Sequence, residues 1–231
     1  MKFKQILIYS LISIPVLFTS CSHDNYPMPN AGIKGAVVDA ASGEAVQTEQ
    51  PNGIKIRLIE ASYGSNVSPN DFWAKPDGTF ENANVFTGNY KVIPVEGAFF
   101  PADTAEVNIT GQVEVNFKVT PYLTIEMNVT AESEKGAVKV AYKISREKVA
   151  DKIISCKVLA SAYPHVSNII NEFNVSHDLS GTEDEAILST NYTDKISGLT
   201  SGETYYFRVA ASTNNAYNKY NYSKIISLKI P

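Results

Sequence analysis

Histidine, cysteine and tryptophan are scarce: three, two and one in 231 residues. That scarcity removes whole classes of chemistry. A catalytic zinc site takes three protein ligands, mostly histidine or cysteine, and His23, His165 and His177 stand far apart in polar surroundings. No H-E-x-x-H, C-x-x-C, G-x-S-x-G or P-loop pattern occurs. Glycoside hydrolysis needs two carboxylates ~5–10 Å apart in a shaped cleft, and no acidic residue stands alone among apolar neighbours in a way that marks one. Glu183-Asp184-Glu185 reads as a solvated loop. The chain is therefore expected to be no enzyme, with no catalytic residue, no metal and no cofactor. Positive charge is also short. Against 24 Asp+Glu there are 20 Lys+Arg, a net charge of −4, so nucleic acid is not an expected partner. Residues 33–119 lack any 3.6-residue apolar period long enough for a helix.

The N-terminus carries the first positive signal. Lys2 and Lys4 precede an apolar run, Ile6 to Phe18, shorter than the ~20 residues that span a bilayer. A basic start, a short apolar core and small residues beyond it predict a secretory signal peptide over residues 1–20. Leu17-Phe18-Thr19-Ser20-Cys21 resembles the lipobox of bacterial lipoproteins. The resemblance implies cleavage before Cys21 and lipidation of Cys21, with the membrane as partner through that lipid. Three acyl chains, each worth roughly 0.8 kcal/mol per buried CH₂, hold a protein at a membrane. The other reading is a plain signal peptide with a chance cysteine. With Cys21 lipidated, Cys156 has no internal partner, so apolar cores must carry the fold. Cys156 itself reads as a small buried hydrophobe.

After a polar tether over residues 21–32, the chain suits two domains of about 100 residues each. Short alternating strands recur between turns. Ile33, Gly35 and Val37 alternate with Lys34, Ala36 and Val38; Ile54, Ile56 and Leu58 do the same with their neighbours. Further strands are expected at Phe72–Lys75, Tyr90–Val95, Ala105–Ile109 and Val113–Val119. Asp39–Gly43, Pro76-Asp77-Gly78 and Thr87-Gly88-Asn89 are turns; Asp39 and Asp77 belong to them first and to calcium second. Thr120-Pro121 marks a junction. Beyond it, strands are expected around Leu123–Val129, Val138–Ile144, Ile154–Val158 and Ser223–Ile230. The fold class predicted is all-β, two β-sandwich domains in tandem, over residues 33–120 and 121–231.

Ile33-Lys34-Gly35-x-Val37-x-Asp39, Asp77-Gly78-Thr79-Phe80 and Gly88-Asn89-Tyr90-Lys91-Val92 together resemble the carboxypeptidase-regulatory-like, or transthyretin-like, sandwich. In that family the domain is usually an accessory and brings no active site. Here the connection Ala45–Gly53 and the loop Ala61–Asp71 are longer than the pattern. Leu199 to Ala210 is similar to the E–F corner and F strand of fibronectin type III domains. The resemblance implies Tyr205 as a corner tyrosine, Phe207 and Val209 facing the core, and Tyr206 and Arg208 facing out. The whole layout resembles a Bacteroidetes lipoprotein family of unknown function, commonly encoded beside SusC/SusD-type glycan importers. It implies an outer-membrane lipoprotein, lipid-anchored and open to surface display, with polysaccharide and a SusC/SusD-type importer as partners.

Two surfaces attract attention. Residues 214–222 hold three tyrosines and four asparagines. Tyrosine offers a flat face to sugar C–H groups, and asparagine offers donors and acceptors. Tyr217, Tyr220, Asn218 and Asn221 are candidate glycan contacts; the same loop could instead merely tolerate asparagine while Tyr222 packs at the last strand. Tyr63, Phe72 and Trp73 form the second surface, which could equally be core. Adjacent strand residues point to opposite faces, so Trp73 is expected on the outside and is the fifth glycan candidate. Asp103-Thr104-Ala105 resembles the short motif of Bacteroidetes O-glycosylation, which would place a glycan on Thr104. The expected function is a non-catalytic accessory of polysaccharide capture; the alternative is a structural or protein-interaction module docking to an importer.

Overall fold

The computed structural model describes residues 27–62, 64, 67–149 and 151–231. Cys21, the signal peptide and Tyr63 lie outside the described residues. Among the described residues no helix is long and apolar enough to cross a membrane.

The chain is all-β. In the first sandwich one sheet centres on β1 (Ala31–Asp39), flanked by β4 (Thr79–Val85) and by β7 (Gln112–Glu114) and β8 (Phe117–Val119). The other sheet runs β3 (Asn70–Trp73), β2 (Lys55–Glu60), β5 (Gly88–Glu96), β6 (Ala105–Ile109). Alternation delivers Ile33, Val37, Ile56, Leu58, Phe80, Val92 and Ile109 to one core. Fully burying a side chain of this size contributes roughly 1.5–3 kcal/mol. β7 and β8 both run parallel to β1. Between them the chain bulges: Val115 N donates to Lys34 O at 2.9 Å, and Ala36 N donates to Asn116 Oδ1 at 2.8 Å. A Cβ on Gly35 would lie 1.7 Å from Val115 O, so only glycine lets the bulge close.

In the second sandwich a three-stranded sheet, β13 (Asn191–Ile196), β10 (Val138–Ser145), β9 (Thr124–Ala131), faces a five-stranded one. The latter runs β12 (Phe173–Asp178), β11 (Ile153–Ser161), β14 (Thr204–Thr213), and both β15 (Tyr220–Tyr222) and β16 (Ile226–Lys229) pair with β14. Its core, which shares no residue with the first, includes Val138, Val140, Ile144, Val158, Phe207 and Val209. Cys156 lies in it; burial pushes its thiol up to about 12, far from a reactive thiolate. Tyr205 is buried, and its hydroxyl accepts from Thr200 N at 3.4 Å, the geometry of a tyrosine corner.

Three features depart from expectation. Glu183-Asp184-Glu185 is not a solvated loop. It opens a short helix, α1 (Asp184–Ser189), because Asp184 Oδ2 accepts from Arg146 at 2.8 Å and its Oδ1 accepts from Ile153 N at 3.1 Å. β12 and β13 were not anticipated. Their inward positions include His177 and Asp194, which hide the apolar alternation; Asp194 Oδ2 meets His177 Nε2 at 2.8 Å and accepts from the Tyr142 hydroxyl at 2.9 Å. The third departure, Arg208, forms the boundary between the sandwiches.

Candidate ligand-binding surface

The junction itself is tied down. Phe99 and Pro121 form an antiparallel bridge, Phe100 N donates to Thr120 O at 3.0 Å, and Tyr122 N donates to Ala98 O at 3.0 Å. The sandwiches therefore meet across a fixed seam.

Residues 214–222 connect β14 to β15 along that seam. Asn215 is buried and shapes the loop: Nδ2 donates to Lys219 O at 2.9 Å and Oδ1 accepts from Lys219 N at 3.0 Å. Asn218 takes φ 52°, a left-handed conformation that asparagine tolerates. The result is an exposed tip bearing Asn218 and Tyr217, the latter 52% exposed. Arg57 and Tyr122 are both near enough to Tyr217 to interact electrostatically. Arg57 is itself held by Asp71 in a two-pronged pair of 2.8 and 2.7 Å, and that bond holds the Asp71 carboxyl below its usual range.

Beyond the tip the same loop turns into a clasp. Lys219 Nζ lies 3.3 Å from Glu96 Oε2 and 5.0 Å from the Trp73 ring centre. Lys55 pairs with the other Glu96 oxygen and lies 4.7 Å from the same ring. Burial would raise the Glu96 carboxyl, but hydrogen bonds from Lys55 and Lys219 outweigh it and hold the group low. Trp73 does stand apart from the first core, whereas Phe72 packs on Phe80 at 6.2 Å. Two lysines nevertheless cover its ring, so it cements the seam and offers little open face. Tyr220 packs partly buried against Leu159, Val166, Ala210 and Tyr222, with Lys157 Nζ 5.3 Å from its ring.

Asn221 corrects the expectation of a sugar contact. It is 3% exposed; Oδ1 accepts from Leu123 N at 3.1 Å and Nδ2 donates to Ala98 O at 2.8 Å. Its amide is consumed in stitching the two sides of the junction. Tyr222 is likewise buried. Its hydroxyl donates to Glu49 Oε2 at 2.7 Å and accepts from Asn168 N at 3.3 Å. Thr104 lies exposed in the coil before β6.

Arg208, expected to face water, is fully buried. It does point away from the second core, but the first sandwich covers it. Nε donates to Ser223 O at 3.0 Å, Nη1 to Thr48 O at 2.7 Å and Nη2 to Pro76 O at 3.2 Å, while the guanidinium lies 4.3 Å from the Tyr222 ring centre. Burial lowers its pKa to about 10, so it stays charged at neutral pH. Glu49, buried beside it, is raised by desolvation against the opposing Tyr222 hydrogen bond. The Tyr222 phenol is raised, by burial first and by Glu49 next. Thr48 and Glu49 belong to the long connection 45–53, whose extra length is what reaches the second sandwich. That length and the Thr120-Pro121 junction are the sequence signals for the seam.

Residues 31–120 match the family model described as "Protein of unknown function (DUF3823) N-terminal domain". No curated protein matches the chain. Among solved structures, a DUF3823 family protein from Bacteroides uniformis is similar with a TM-score of 0.79 at 27% identity, covering 88% of this chain and 100% of that one. A DUF3823 family protein from Parabacteroides merdae gives 0.72 at 25% identity, with 88% and 100% covered. A further Bacteroides uniformis structure, named a "putative carbohydrate binding protein", has the same fold, with a TM-score of 0.72, 21% identity, and 87% and 100% covered. The likeness thus runs through both sandwiches, and the first of them, residues 31–120, is the part that is similar to the DUF3823 N-terminal domain model.

Proposed function

We propose that the protein is a non-catalytic glycan-binding accessory of the cell envelope, held at the outer membrane by lipid on Cys21. The observation that carries the reading is the tip of the 214–222 loop. Tyr217 is exposed by 52% on a loop whose flanks Asn215 and Asn221 lock in place. A pre-positioned aromatic ring costs little ordering entropy when it meets a sugar face. Asn218 lies beside it with a donor and acceptor. A fold neighbour that is named for carbohydrate binding agrees with this reading.

The test is retardation of the full-length chain in native gels that contain plant, host or microbial polysaccharides. Retardation by one polysaccharide, weakened in Tyr217→Ala, is the expected result; mobility unchanged by every polysaccharide would sink the reading. The anchor has a separate test. Mass spectrometry of the wild-type protein should find acyl mass on Cys21, and Cys21→Ala should leave the membrane fraction.

A second reading, a module docking to a SusC/SusD-type importer, is favoured by one patch. The β11–β12 loop exposes Tyr163 at 64%, Ile169 at 55% and Ile170 at 38%. Exposed apolar side chains grouped on one loop are typical of contact surfaces. Co-purification of an importer component, lost in Tyr163→Ser with Ile169→Ser, would favour it over glycan binding.

A further inference from the structure

We propose that the seam between the sandwiches is itself a binding groove for a neutral oligosaccharide, separate from the Tyr217 tip. This rests on the glycan-binding reading and names a second place and a sugar class for it. A hollow of ≈ 680 Å³ opens on the seam, where Gln47, Gln50 and Pro76 of the first sandwich face Pro164, His165 and Ile225 of the second. A second hollow of ≈ 480 Å³ shares Gln47, Lys224 and Ile225 with it, so the two run together along the boundary. Both volumes lie in the range of small-molecule sites, about 300–1,000 Å³.

The chemistry of the walls selects the ligand. The Gln50 amide and the His165 imidazole are exposed and make no hydrogen bond or ion pair among the described residues. They approach the hollow from opposite sandwiches and offer donors and acceptors suited to hydroxyls. Pro76, Pro164 and Ile225 offer apolar contact to ring C–H groups. Positive charge, by contrast, is already matched. Lys224 pairs with Glu44 at 2.8 Å, Lys75 pairs with Glu81 at 3.2 Å, and Asp77 Oδ1 accepts from Thr79 N at 3.0 Å and Thr79 Oγ1 at 2.7 Å. Both lysines are taken by glutamates, and the carboxylates that no ion pair takes among the described residues, Asp77 in one hollow and Asp39 and Glu126 in the other, repel an anionic ligand, so a neutral polyol fits.

The groove is pre-formed by the second sandwich's own arginine. Arg208 donates to Thr48 O and Pro76 O, and Thr48 N donates to Pro76 O at 3.0 Å. These bonds fix the segments that carry Gln47, Gln50 and Asp77. A wall fixed before the ligand arrives spares the ordering cost of binding.

The experiment is calorimetric titration of the full-length chain in detergent with cellohexaose, xylohexaose, mannohexaose and laminarihexaose, with hexagalacturonate as the acidic comparison. One neutral hexasaccharide should bind. Gln50→Ala combined with His165→Ala, both exposed and so tolerated by the fold, should weaken it at least tenfold. Hydrogen exchange should slow at residues 47–50 and 164–166 on adding that sugar. Weakening confined to Tyr217→Ala would overturn the groove and leave the glycan-binding reading standing. Preference for hexagalacturonate would overturn the neutral class. Binding of none of the five would overturn both.

Discussion

Phe207 and Arg208 are neighbours on β14, and neither is reached by solvent. Phe207 is covered by its own sandwich, among Val158, Val209 and Tyr205. Arg208 is covered by the other sandwich, and its partners are main-chain carbonyls, at positions 48 and 76 of that sandwich and at 166 and 223 of its own. One interior is apolar and non-directional; the other is polar and depends on angles and distances. The contrast teaches that a strand's outward face becomes interior where a second domain supplies acceptors. Burial of charge is then tolerable because four carbonyls accept from the guanidinium.

Substitutions separate the two kinds of interior. Phe207→Ala has the largest expected effect, a loss of about 3–5 kcal/mol from transfer and cavity together, read as a fall in the urea midpoint. Arg208→Ala comes next, at about 3 kcal/mol, since it leaves the 48 and 223 carbonyls without their guanidinium donor in a buried seam and takes one positive charge from beside Glu49. Its distinguishing sign is a split of one unfolding transition into two as the sandwiches uncouple; a single shifted transition would mean the seam does not couple them. Asn221→Ala should cost about 1–3 kcal/mol, by leaving Leu123 N without a partner and Ala98 O with Tyr122 N alone.

Acid sharpens the same contrast, because the seam titrates and the apolar cores do not. The Glu96 carboxyl is held below its ordinary 4.5. Its contribution is present above about pH 4.5 and is lost as pH falls through the lowered value. The Glu49 carboxyl is held above 4.5. Its contribution is full below that pH and declines as pH rises through the raised value. Melting curves from pH 3 upward should therefore show wild type losing ground to Glu96→Gln on acidification. Against Glu49→Gln the wild type should lose ground on the way up. Equal pH profiles for the two variants would contradict the opposite signs. Smallest of all is Tyr217→Ala, expected within about 0.5 kcal/mol of wild type because the ring touches little of the fold.

The strands were legible wherever apolar residues alternate, as in Ile54, Ile56, Leu58 or Val138, Val140, Tyr142. They were illegible where inward positions are polar: His177 on β12 and Asp194 on β13 satisfy each other across the sandwich, so neither strand carries the usual pattern. The tyrosine corner was readable because Gly202 and Tyr205 stand at a fixed offset, and Thr200 N does bond the hydroxyl. The candidate surface was half readable. An asparagine- and tyrosine-rich stretch looks the same whether its amides meet sugar or backbone, and here Tyr217 and Asn218 face out while Asn215, Asn221 and Tyr222 face in. Composition cannot divide such a loop, because the division depends on what a domain 100 or more positions away places against it.

The arginine brace also bears on how such proteins can diverge. A sandwich that is merely strung on a linker can be traded between genes as an independent part. Here Arg208 takes the 223 and 166 carbonyls from its own sandwich, and its full set of acceptors requires that the partner domain bring the 45–53 connection and the 76 carbonyl with it. A recombinant that exchanged one sandwich alone would inherit a guanidinium facing the wrong surface, or acceptors facing none. The pair is thereby bound to be inherited as a single cassette, with novelty confined to the tip and groove residues that the brace does not use.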